Sequence, residues 1–256
     1  MPPPQKPCTP DPMPRIATYN VHRCVGNDRR LDVARIADVL ARLEPDIVAL
    51  QELDVGRKRT GHVDQAHEIA RRLDMACHFN AALTVEEERY GDAILTRYPE
   101  RLVQVGPLPG HPAIPQLEPR GALWVEVEIA GARVQIINTH LGLVPKEQQI
   151  QAAFLAGPAW LKNPHCQGPT ILLGDFNATA TSVVYRTFLR QLSAARSLAK
   201  VKTPTATFPS PLPVLRIDHL FVSPEIEVAE VFAPFSPLTR VASDHLPLVM
   251  DFEVAA

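Results

Sequence analysis

Six short polar clusters are the part of this sequence most suited to chemistry, and each lies at the end of an apolar run. An apolar run predicts a buried strand, so the polar side chains beside it are expected at a sheet edge. Together they supply Asn, Glu, Asp and His, which suit a hard divalent cation, an activated water and an anionic substrate. We therefore expect one site assembled from distant parts of the chain. The clusters are Thr18-Tyr19-Asn20, Leu50-Gln51-Glu52, Asn138-Thr139-His140, Gly174-Asp175-Phe176-Asn177, Asp218-His219 and Ser243-Asp244-His245.

The elements that must position these clusters are a mixture of strands and helices. Apolar residues at helical spacing predict amphipathic helices over 31–43 and 63–73, and further helices are expected over 145–161 and 182–192. Hairpins in both halves disfavour strict βαβ alternation, so two sheets covered by helices fit better. The predicted strands are 15–20, 46–51, 93–95, 121–129, 133–138, 170–173, 217–222, 226–232 and 246–254.

The composition predicts an ordinary globular protein. Residues 15–256 are expected to form a single domain, and residues 1–14, with seven prolines, a disordered tail. The formal net charge of -2 argues against a general nucleic-acid coat. No apolar run is long enough for a transmembrane segment and no secretory signal is evident, so we expect the protein in the bacterial cytoplasm. We also expect it to be a monomer.

The four cysteines are scattered along the chain and form no C-x-x-C pair. In a chain of 256 residues this spacing predicts free thiols rather than a disulfide framework or a zinc site. The cysteines are Cys8, Cys24, Cys77 and Cys166.

The polar clusters, taken in order, resemble the endonuclease/exonuclease/phosphatase superfamily, which includes deoxyribonuclease I, neutral sphingomyelinases and inositol polyphosphate 5-phosphatases. The resemblance covers nearly the whole chain from Arg15. It implies an α/β (α+β) fold, a four-layer sandwich of two packed mixed β-sheets with helices on both outer faces. The stretches that carry it are Ala17-Thr18-Tyr19-Asn20, Asp46-Ile47-Val48-Ala49-Leu50-Gln51-Glu52, Ile137-Asn138-Thr139-His140-Leu141, Leu172-Leu173-Gly174-Asp175-Phe176-Asn177, Arg216-Ile217-Asp218-His219-Leu220-Phe221-Val222 and Ser243-Asp244-His245-Leu246-Pro247.

The resemblance implies a metal site for Mg²⁺ or Mn²⁺, with one ion expected and a second possible. Glu52 is the first candidate ligand, because Mg²⁺ takes oxygen ligands and usually only one or two protein carboxylates. Asp244 is placed to bind the metal directly or through water. Asn20 could turn its amide oxygen to the metal or its NH₂ group to a phosphate.

The same resemblance implies roles for the catalytic candidates. Asp175 would orient or deprotonate the attacking water, and Asn177 would hold a phosphate oxygen. Asp218 would hydrogen-bond His245, which would act as general base or stabilise a phosphorane-like transition state. His140 would donate to the scissile phosphate or protonate the leaving group.

Arginines supply the candidate substrate-binding residues. Arg57 and Arg59 follow Glu52 in a basic loop, and a guanidinium matches phosphate oxygens well. Arg120, just before a predicted strand, is a weaker candidate of the same kind. A solvated loop is the alternative interpretation of the 57–59 cluster.

The sequence departs from the family pattern at two places. His22 stands where abasic-site endonucleases usually carry Asp, and Asp92 stands where many members carry Asn. Asp92 is expected either to change a substrate contact or to cap a strand.

The function we expect is metal-dependent hydrolysis of a phosphodiester or phosphomonoester by in-line attack of water. A small or lipid phosphodiester is favoured over DNA or RNA, because the net charge is slightly negative. An endo- or exonuclease is the alternative, and a catalytically inactive binding module of the same fold is a second one. The Pro-rich segments 106–119 and 203–215 are expected to rim the site.

Overall fold

The structure, a computed structural model, describes residues 13–255. Residues 1–12 of the predicted Pro-rich tail, including Cys8, lie outside the described residues. The described chain is already tied to the sheet at its start, because the backbone carbonyl of Pro14 accepts a hydrogen bond from the Phe252 amide at 3.1 Å. Cys24, Cys77 and Cys166 are free cysteines.

One β-sheet has seven strands and contains the first polar cluster. Its central strand β1 pairs in parallel with β2 and antiparallel with β13. The strands in spatial order are β10 (Val201–Lys202), β12 (Ile226–Phe232), β13 (Leu248–Val254), β1 (Arg15–Asn20), β2 (Ile47–Val55), β4 (Glu88–Thr96) and β3 (Ala76–Val85).

The other β-sheet has six strands and is also mixed. Strands β7 and β8 run parallel, whereas β8 and β11 run antiparallel. The predicted strands 121–129 and 133–138 form a hairpin that turns at Ala130 and Gly131 and joins β6 (Gly121–Ile129) to β7 (Ala132–His140). The strands in spatial order are β5 (Glu100–Pro107), β6 (Gly121–Ile129), β7 (Ala132–His140), β8 (Thr170–Asp175), β11 (Asp218–Val222) and β9 (Ser193–Ala194).

Helices cover the outer faces of both sheets. The first two helices start at aspartate N-caps: Asp32 accepts from the Arg35 amide and Asp64 from the His67 amide, so each helix begins two residues after the predicted start. The helices are α1 (Val33–Leu43), α2 (Gln65–Leu73), α3 (Pro145–Leu155), α4 (Val183–Phe188), α5 (Ala195–Leu198) and α6 (Thr239–Ala242). None within residues 13–255 is long and apolar enough to cross a membrane.

Side-chain alternation along the strands builds four layers. In β2, Ile47 and Ala49 belong to the core between the sheets, while Val48 and Leu50 pack against α1 and α2. The six-stranded sheet behaves in the same way, with its other face packed against α3 and α4. Because both faces are buried, these strands read as continuous apolar runs. The predicted fold, two packed mixed β-sheets with helices outside, is confirmed.

The sequence prediction missed the two long edge strands. β3 and β5 lie at the ends of their sheets and are largely half-buried or exposed, so neither has the apolar run that marked the central strands. β2 and β4 are also longer than predicted. α3 ends at Leu155 rather than at residue 161, because Gly157 and Pro158 stop the helix.

Candidate active site

Three strands of the six-stranded sheet bring catalytic candidates into one row. His140 at the end of β7 lies opposite Asp175 at the end of β8. Asp175 in turn lies opposite Asp218 at the start of β11. Neighbouring strands lie about 4.8 Å apart, so side chains from three distant segments become neighbours.

The seven-stranded sheet contributes Asn20 to the same place. Asn20 is buried at the end of β1, and its Nδ2 donates to Glu52 Oε1 at 3.1 Å and to Asp175 Oδ2 at 3.0 Å. Its Oδ1 accepts from the His22 amide at 3.0 Å, which fixes the orientation of the amide. Asn20 therefore joins the two sheets and turns its NH₂ group, rather than its oxygen, towards the carboxylates.

Glu52 occupies an irregularity in β2. The pairing of β2 with β4 shifts register between Leu50 and Leu53, and Glu52 has a φ of 62°. A residue other than glycine in this left-handed region costs about 1–3 kcal/mol. The bulge leaves Gln51 buried, donating to Asn138 Oδ1 at 2.8 Å, and places Glu52 half-buried at the mouth of the site. Bulges of this kind re-aim side chains beside active sites.

Asp218 and His245 form a buried hydrogen-bonded pair. His245 Nδ1 lies 2.9 Å from Asp218 Oδ2, and Thr207 Oγ1 donates to the same oxygen at 2.5 Å. Burial disfavours the charged imidazole, but the carboxylates of Asp218 and Asp175 outweigh it and raise the pKa of His245 to about 10. His245 is thus protonated near neutral pH, with Nε2 3.7 Å from Asp175 Oδ2.

Asp175 is the most buried carboxylate of the row. Burial, and then the charge of Asp218, raise the pKa of Asp175 to about 7. Its Oδ1 accepts from the Asn177 amide at 2.9 Å, so the segment forms an Asx turn as well as part of the site. Asn177 has a φ of 48°, and its Nδ2 donates to the Leu141 carbonyl at 3.0 Å and lies 3.1 Å from His140 Nε2.

Arg120 controls the state of His140. Its Nη1 lies 3.0 Å from His140 Nδ1 and 2.9 Å from Glu118 Oε1. Burial and the charge of Arg120 lower the pKa of His140 well below its ordinary value. A guanidinium can only donate, so we assign the proton of the neutral imidazole to Nε2, which lies 3.5 Å from Asp175 Oδ2. The NH₂ group of Asn177 is also a donor, so with this tautomer it contacts Nε2 without a hydrogen bond to it.

Two sets of side chains are suited to hold a cation. Ligand atoms of Asp175, Asp218 and His245 lie within 4.8 Å of one another, a cluster consistent with a metal site. Asp218 Oδ1 is buried without a hydrogen-bond partner among the described residues, as expected beside a cation or a transferred proton. Glu52 and Asp244 also line the cleft, and their carboxylate oxygens suit a hard cation better than a protonated imidazole does.

An open cleft of about 460 Å³ is lined by Glu52, His140, Asp175, Asp244 and His245, whereas Asn20, Arg57 and Asp218 are not among its lining residues. Arg59 reaches it, with two hydrogen bonds of 2.7 Å to the buried carboxylate of Asp54. Arg57, the other residue of the basic loop, pairs with Glu88 at 3.2 Å. The lining residues are His22, Arg23, Glu52, Arg59, Tyr90, Glu118, Arg120, His140, Leu143, Asp175, Asn177, Phe208, Ile217, Asp244 and His245.

Six of the lining residues had not been assigned to the site from the sequence: Arg23, Tyr90, Glu118, Leu143, Phe208 and Ile217. Glu118 and Phe208 do belong to the two Pro-rich segments that were expected to rim the site. Arg23 and Tyr90 carry no motif that could have identified them.

The two departures from the family pattern have different surroundings. His22 lines the cleft, with its Nδ1 4.0 Å from Asp244 and its Nε2 2.9 Å from the Arg23 guanidinium. Asp92 is buried beneath the cleft. Burial raises its pKa to about 8, and the charge of Arg120 acts in the opposite direction.

In this molecule two sheets are stacked, and neighbouring strand ends carry an Asp–His pair and a buried carboxylate. This is the architecture of metal-dependent phosphoesterases. The chain matches the Endonuclease/Exonuclease/phosphatase family over residues 17–245, and it belongs to that family.

Similar proteins are found in several organisms. The chain is 26% identical to the uncharacterized protein YbhP of Escherichia coli (strain K12), over 91% of this chain and 94% of that protein. Among solved structures, the mannosyl-6-phosphatase Bt3783 of Bacteroides thetaiotaomicron has a TM-score of 0.74 and 20% identity, over 94% of this chain and 99% of that one. The human Nocturnin catalytic domain has a TM-score of 0.70 and 21% identity, over 95% of each chain. At these identities the structures share the fold only.

Proposed function

We propose that the protein hydrolyses phosphodiester or phosphomonoester bonds by in-line attack of water, with the help of a divalent metal ion. The observation that carries this proposal is the Asp218–His245 pair held against the buried carboxylate of Asp175. Such a set supplies a proton acceptor and a positive charge beside one another. Positioning and charge neutralisation of this kind dominate the catalysis of phosphoryl transfer.

The roles of the polar groups follow from their protonation states. A protonated His245, which the neighbouring carboxylates favour, would stabilise charge on the phosphoryl oxygens rather than remove a proton. Asp175 then remains to orient the water and accept its proton. His140, with its proton on Nε2, donates to a phosphate oxygen or to the leaving group, and Asn177 holds a second phosphate oxygen beside it.

Glu52 and Asp244 are the residues we propose for a Mg²⁺ or Mn²⁺ ion, and Asn20 steadies Glu52 by donating to it. When bound, the ion would neutralise charge on the phosphate group. One ion is proposed, and Asp175 and Asp218 offer the place for a second.

The charges of the cleft favour a compact substrate over a polynucleotide. Arg59 and Arg120 are already paired with Asp54 and Glu118. A nucleic-acid path needs a series of cations that are free to neutralise successive phosphates. We therefore favour a small or lipid phosphodiester and keep a nuclease as the alternative. We also propose a monomer that acts in the bacterial cytoplasm, and its relatives YbhP are bacterial.

Removal of the metal and of its first ligand tests the proposal. With bis-(p-nitrophenyl) phosphate as substrate, we expect hydrolysis in Mg²⁺ or Mn²⁺ and none in EDTA. Glu52→Gln should lower the rate at limiting Mg²⁺ by about 100-fold, because a neutral amide is a poor substitute for the carboxylate.

The exposed Glu253 on β13 provides the matched control, and Glu253→Gln should behave as the unmodified protein. Full activity of Glu52→Gln at low Mg²⁺ would remove Glu52 from the site. Hydrolysis unaffected by EDTA would overturn the metal dependence, and no hydrolysis with either metal would favour an inactive binding module.

A panel of plasmid DNA, abasic oligonucleotide, RNA, sphingomyelin, phosphatidylglycerol and inositol phosphates then separates the substrate classes. Hydrolysis of the nucleic acids with a steep dependence on salt would favour the nuclease.

A further inference from the structure

A small apolar hairpin rises at the rim of the cleft. Residues 208–215, which we call the rim hairpin, close with antiparallel hydrogen bonds between Phe208 and Leu215. At its tip Leu212 and Val214 have exposed fractions of 71% and 67%. Side chains of this type are usually buried, and two of them side by side on one turn mark a contact surface.

The rim hairpin is fixed to the catalytic residues. The amide of the buried Ser210 donates to the Asp244 carbonyl at 2.7 Å, and its Oγ donates to the Ser243 carbonyl at 2.5 Å. The ring of Phe208 packs on His245 with centroids 4.9 Å apart. Pro211 and Pro213 flank Leu212 and restrict the backbone of the turn. The apolar tip is therefore held in place beside the site.

A second segment of the cleft lining also presents an apolar side chain. Leu143, in the loop between β7 and α3, lines the cleft with an exposed fraction of 71%. Phe208 lines the same cleft from the base of the rim hairpin. Two separate segments, which we call the lips, thus bring apolar side chains to an opening whose floor is polar.

Positive charge accompanies the apolar surface. Beside the rim hairpin, Pro211, Pro237 and Val241 line a shallow hollow together with Arg240. The Arg240 guanidinium lies 5.2 Å from the ring of Phe235, which is itself 55% exposed. Asp28 in the same hollow is neutralised by Arg35 at 2.8 Å. Exposed apolar side chains interleaved with arginine suit the boundary between lipid headgroups and acyl chains.

We propose that this face docks on a phospholipid bilayer and that the substrate is a lipid phosphodiester drawn from it. A protein or a second copy seated on both lips would close the cleft, whereas a bilayer both covers the lips and supplies the substrate. The proposal rests on the proposed function for its reaction. Water adds to the phosphorus, one P–O ester bond breaks, and the products are a phosphomonoester and an alcohol.

Sedimentation with vesicles of phosphatidylglycerol and phosphatidylcholine tests the docking. The unmodified protein should bind, and the double variant Leu212→Ser, Val214→Ser should bind about 100-fold more weakly, because each buried aliphatic side chain contributes about a tenfold factor. The control is Leu102→Ser with Val105→Ser, a pair on the edge strand β5 with exposed fractions of 44% each. Control and test variants should unfold at the same temperature, since all four side chains are exposed.

The Glu52→Gln variant separates docking from chemistry, because no hydrogen bond joins Glu52 to the rim hairpin in the described part of the chain: the variant should bind vesicles as the unmodified protein does while losing most hydrolysis at limiting Mg²⁺. Equal vesicle binding by the rim and β5 variants would overturn the proposed surface, as would no vesicle binding by an enzyme that hydrolyses the soluble diester. Vesicle binding that depends on the rim hairpin, in a protein inactive on every diester, would keep the docking and reject the proposed function. Concentration-dependent dimers that the rim variant abolishes would instead assign the surface to a second copy and overturn the proposal.

Discussion

The residues at the floor of the cleft and those at its rim differ in burial and in hydrogen bonding. On the floor, Asn20, His140, Asp175, Asp218 and His245 are buried, and every one of them contacts another polar group. They stand on or beside strands whose register fixes their positions. The rim consists of loop residues, and several of their side chains, such as Leu143, Leu212 and Val214, are largely exposed. The comparison indicates that the chemistry and the choice of substrate are encoded in separate parts of the molecule.

The two regions should therefore respond differently to substitution. A buried polar group that loses its partner keeps the full cost of desolvation. A substitution at the floor therefore also changes the other residues that are hydrogen-bonded to the substituted one. A rim side chain contacts solvent on one side, and its loss changes one contact. Floor variants should change kcat, and rim variants should change substrate affinity.

The largest expected effect lies in the Asp218–His245 pair. Asp218→Asn and His245→Ala should each lower kcat roughly a thousandfold or more, because each removes the charge that the other requires. The double variant should lose little more than either single one, since residues acting as one unit are not additive. Steady-state kinetics on bis-(p-nitrophenyl) phosphate measures all three.

Asp38→Asn, at an exposed position of α1, is the matched control and should leave kcat unchanged. If the loss in kcat of the double variant equals the product of the two single losses, Asp218 and His245 act separately. The residues of the floor would then not act as one unit.

The second effect concerns Arg120, which the sequence indicated as a substrate-binding residue. Arg120 is buried and contacts His140, so we expect it to position that histidine rather than to bind substrate. Arg120→Gln should lower kcat about 10- to 100-fold with little change in KM, because a shift of about 1 Å in the hydrogen-bond donor of His140 can cost about 100-fold. Arg120→Lys should recover part of the loss, because it keeps a charged donor.

Arg101→Gln is the control, since Arg101 is exposed and pairs with Glu126 on the surface. A raised KM with unchanged kcat in Arg120→Gln would show that Arg120 binds substrate, as the rim residues are expected to do, and does not position His140.

The sequence predicted the floor better than the rim for a physical reason. Central strands buried on both faces leave long apolar runs, and the polar residues that end them are conspicuous. All six clusters, including those of Asp218 and His245, could be assigned to one site from that pattern. The resemblance to the family added the roles expected of the individual residues.

The remaining features depend on contacts that no local pattern records. The bulge that turns Glu52 outward lies inside a run that looks like an uninterrupted strand. The contact of Arg120 with His140 depends on the register of the β6–β7 hairpin, in which Ala122 lies opposite Thr139. Thr207 and Phe208 come from a Pro-rich segment without periodicity, so only the position of that segment near the site could be predicted.

The smallest expected effect separates two arginines that the sequence had grouped in one basic loop. Arg59 lines the cleft and holds the fully buried carboxylate of Asp54, whereas Arg57 pairs with the half-exposed Glu88. Arg59→Ala should raise KM for a phosphate ester about 3- to 10-fold with kcat almost unchanged, because it removes binding that ground state and transition state share. It should also lower the free energy of unfolding by about 1–3 kcal/mol, since Asp54 loses its partner.

Arg57→Ala serves as the neighbouring control, and it should leave KM within about twofold and cost less than about 1 kcal/mol, as a surface ion pair does. KM from initial rates and the free energy of unfolding from urea titration provide the two measurements. Equal increases in KM for both variants would mean that the loop grips phosphate as a unit, and a flatter salt dependence would then favour a polynucleotide. If neither variant changes KM, the loop is only solvated surface, and recognition of the substrate must depend on the apolar lips of the cleft.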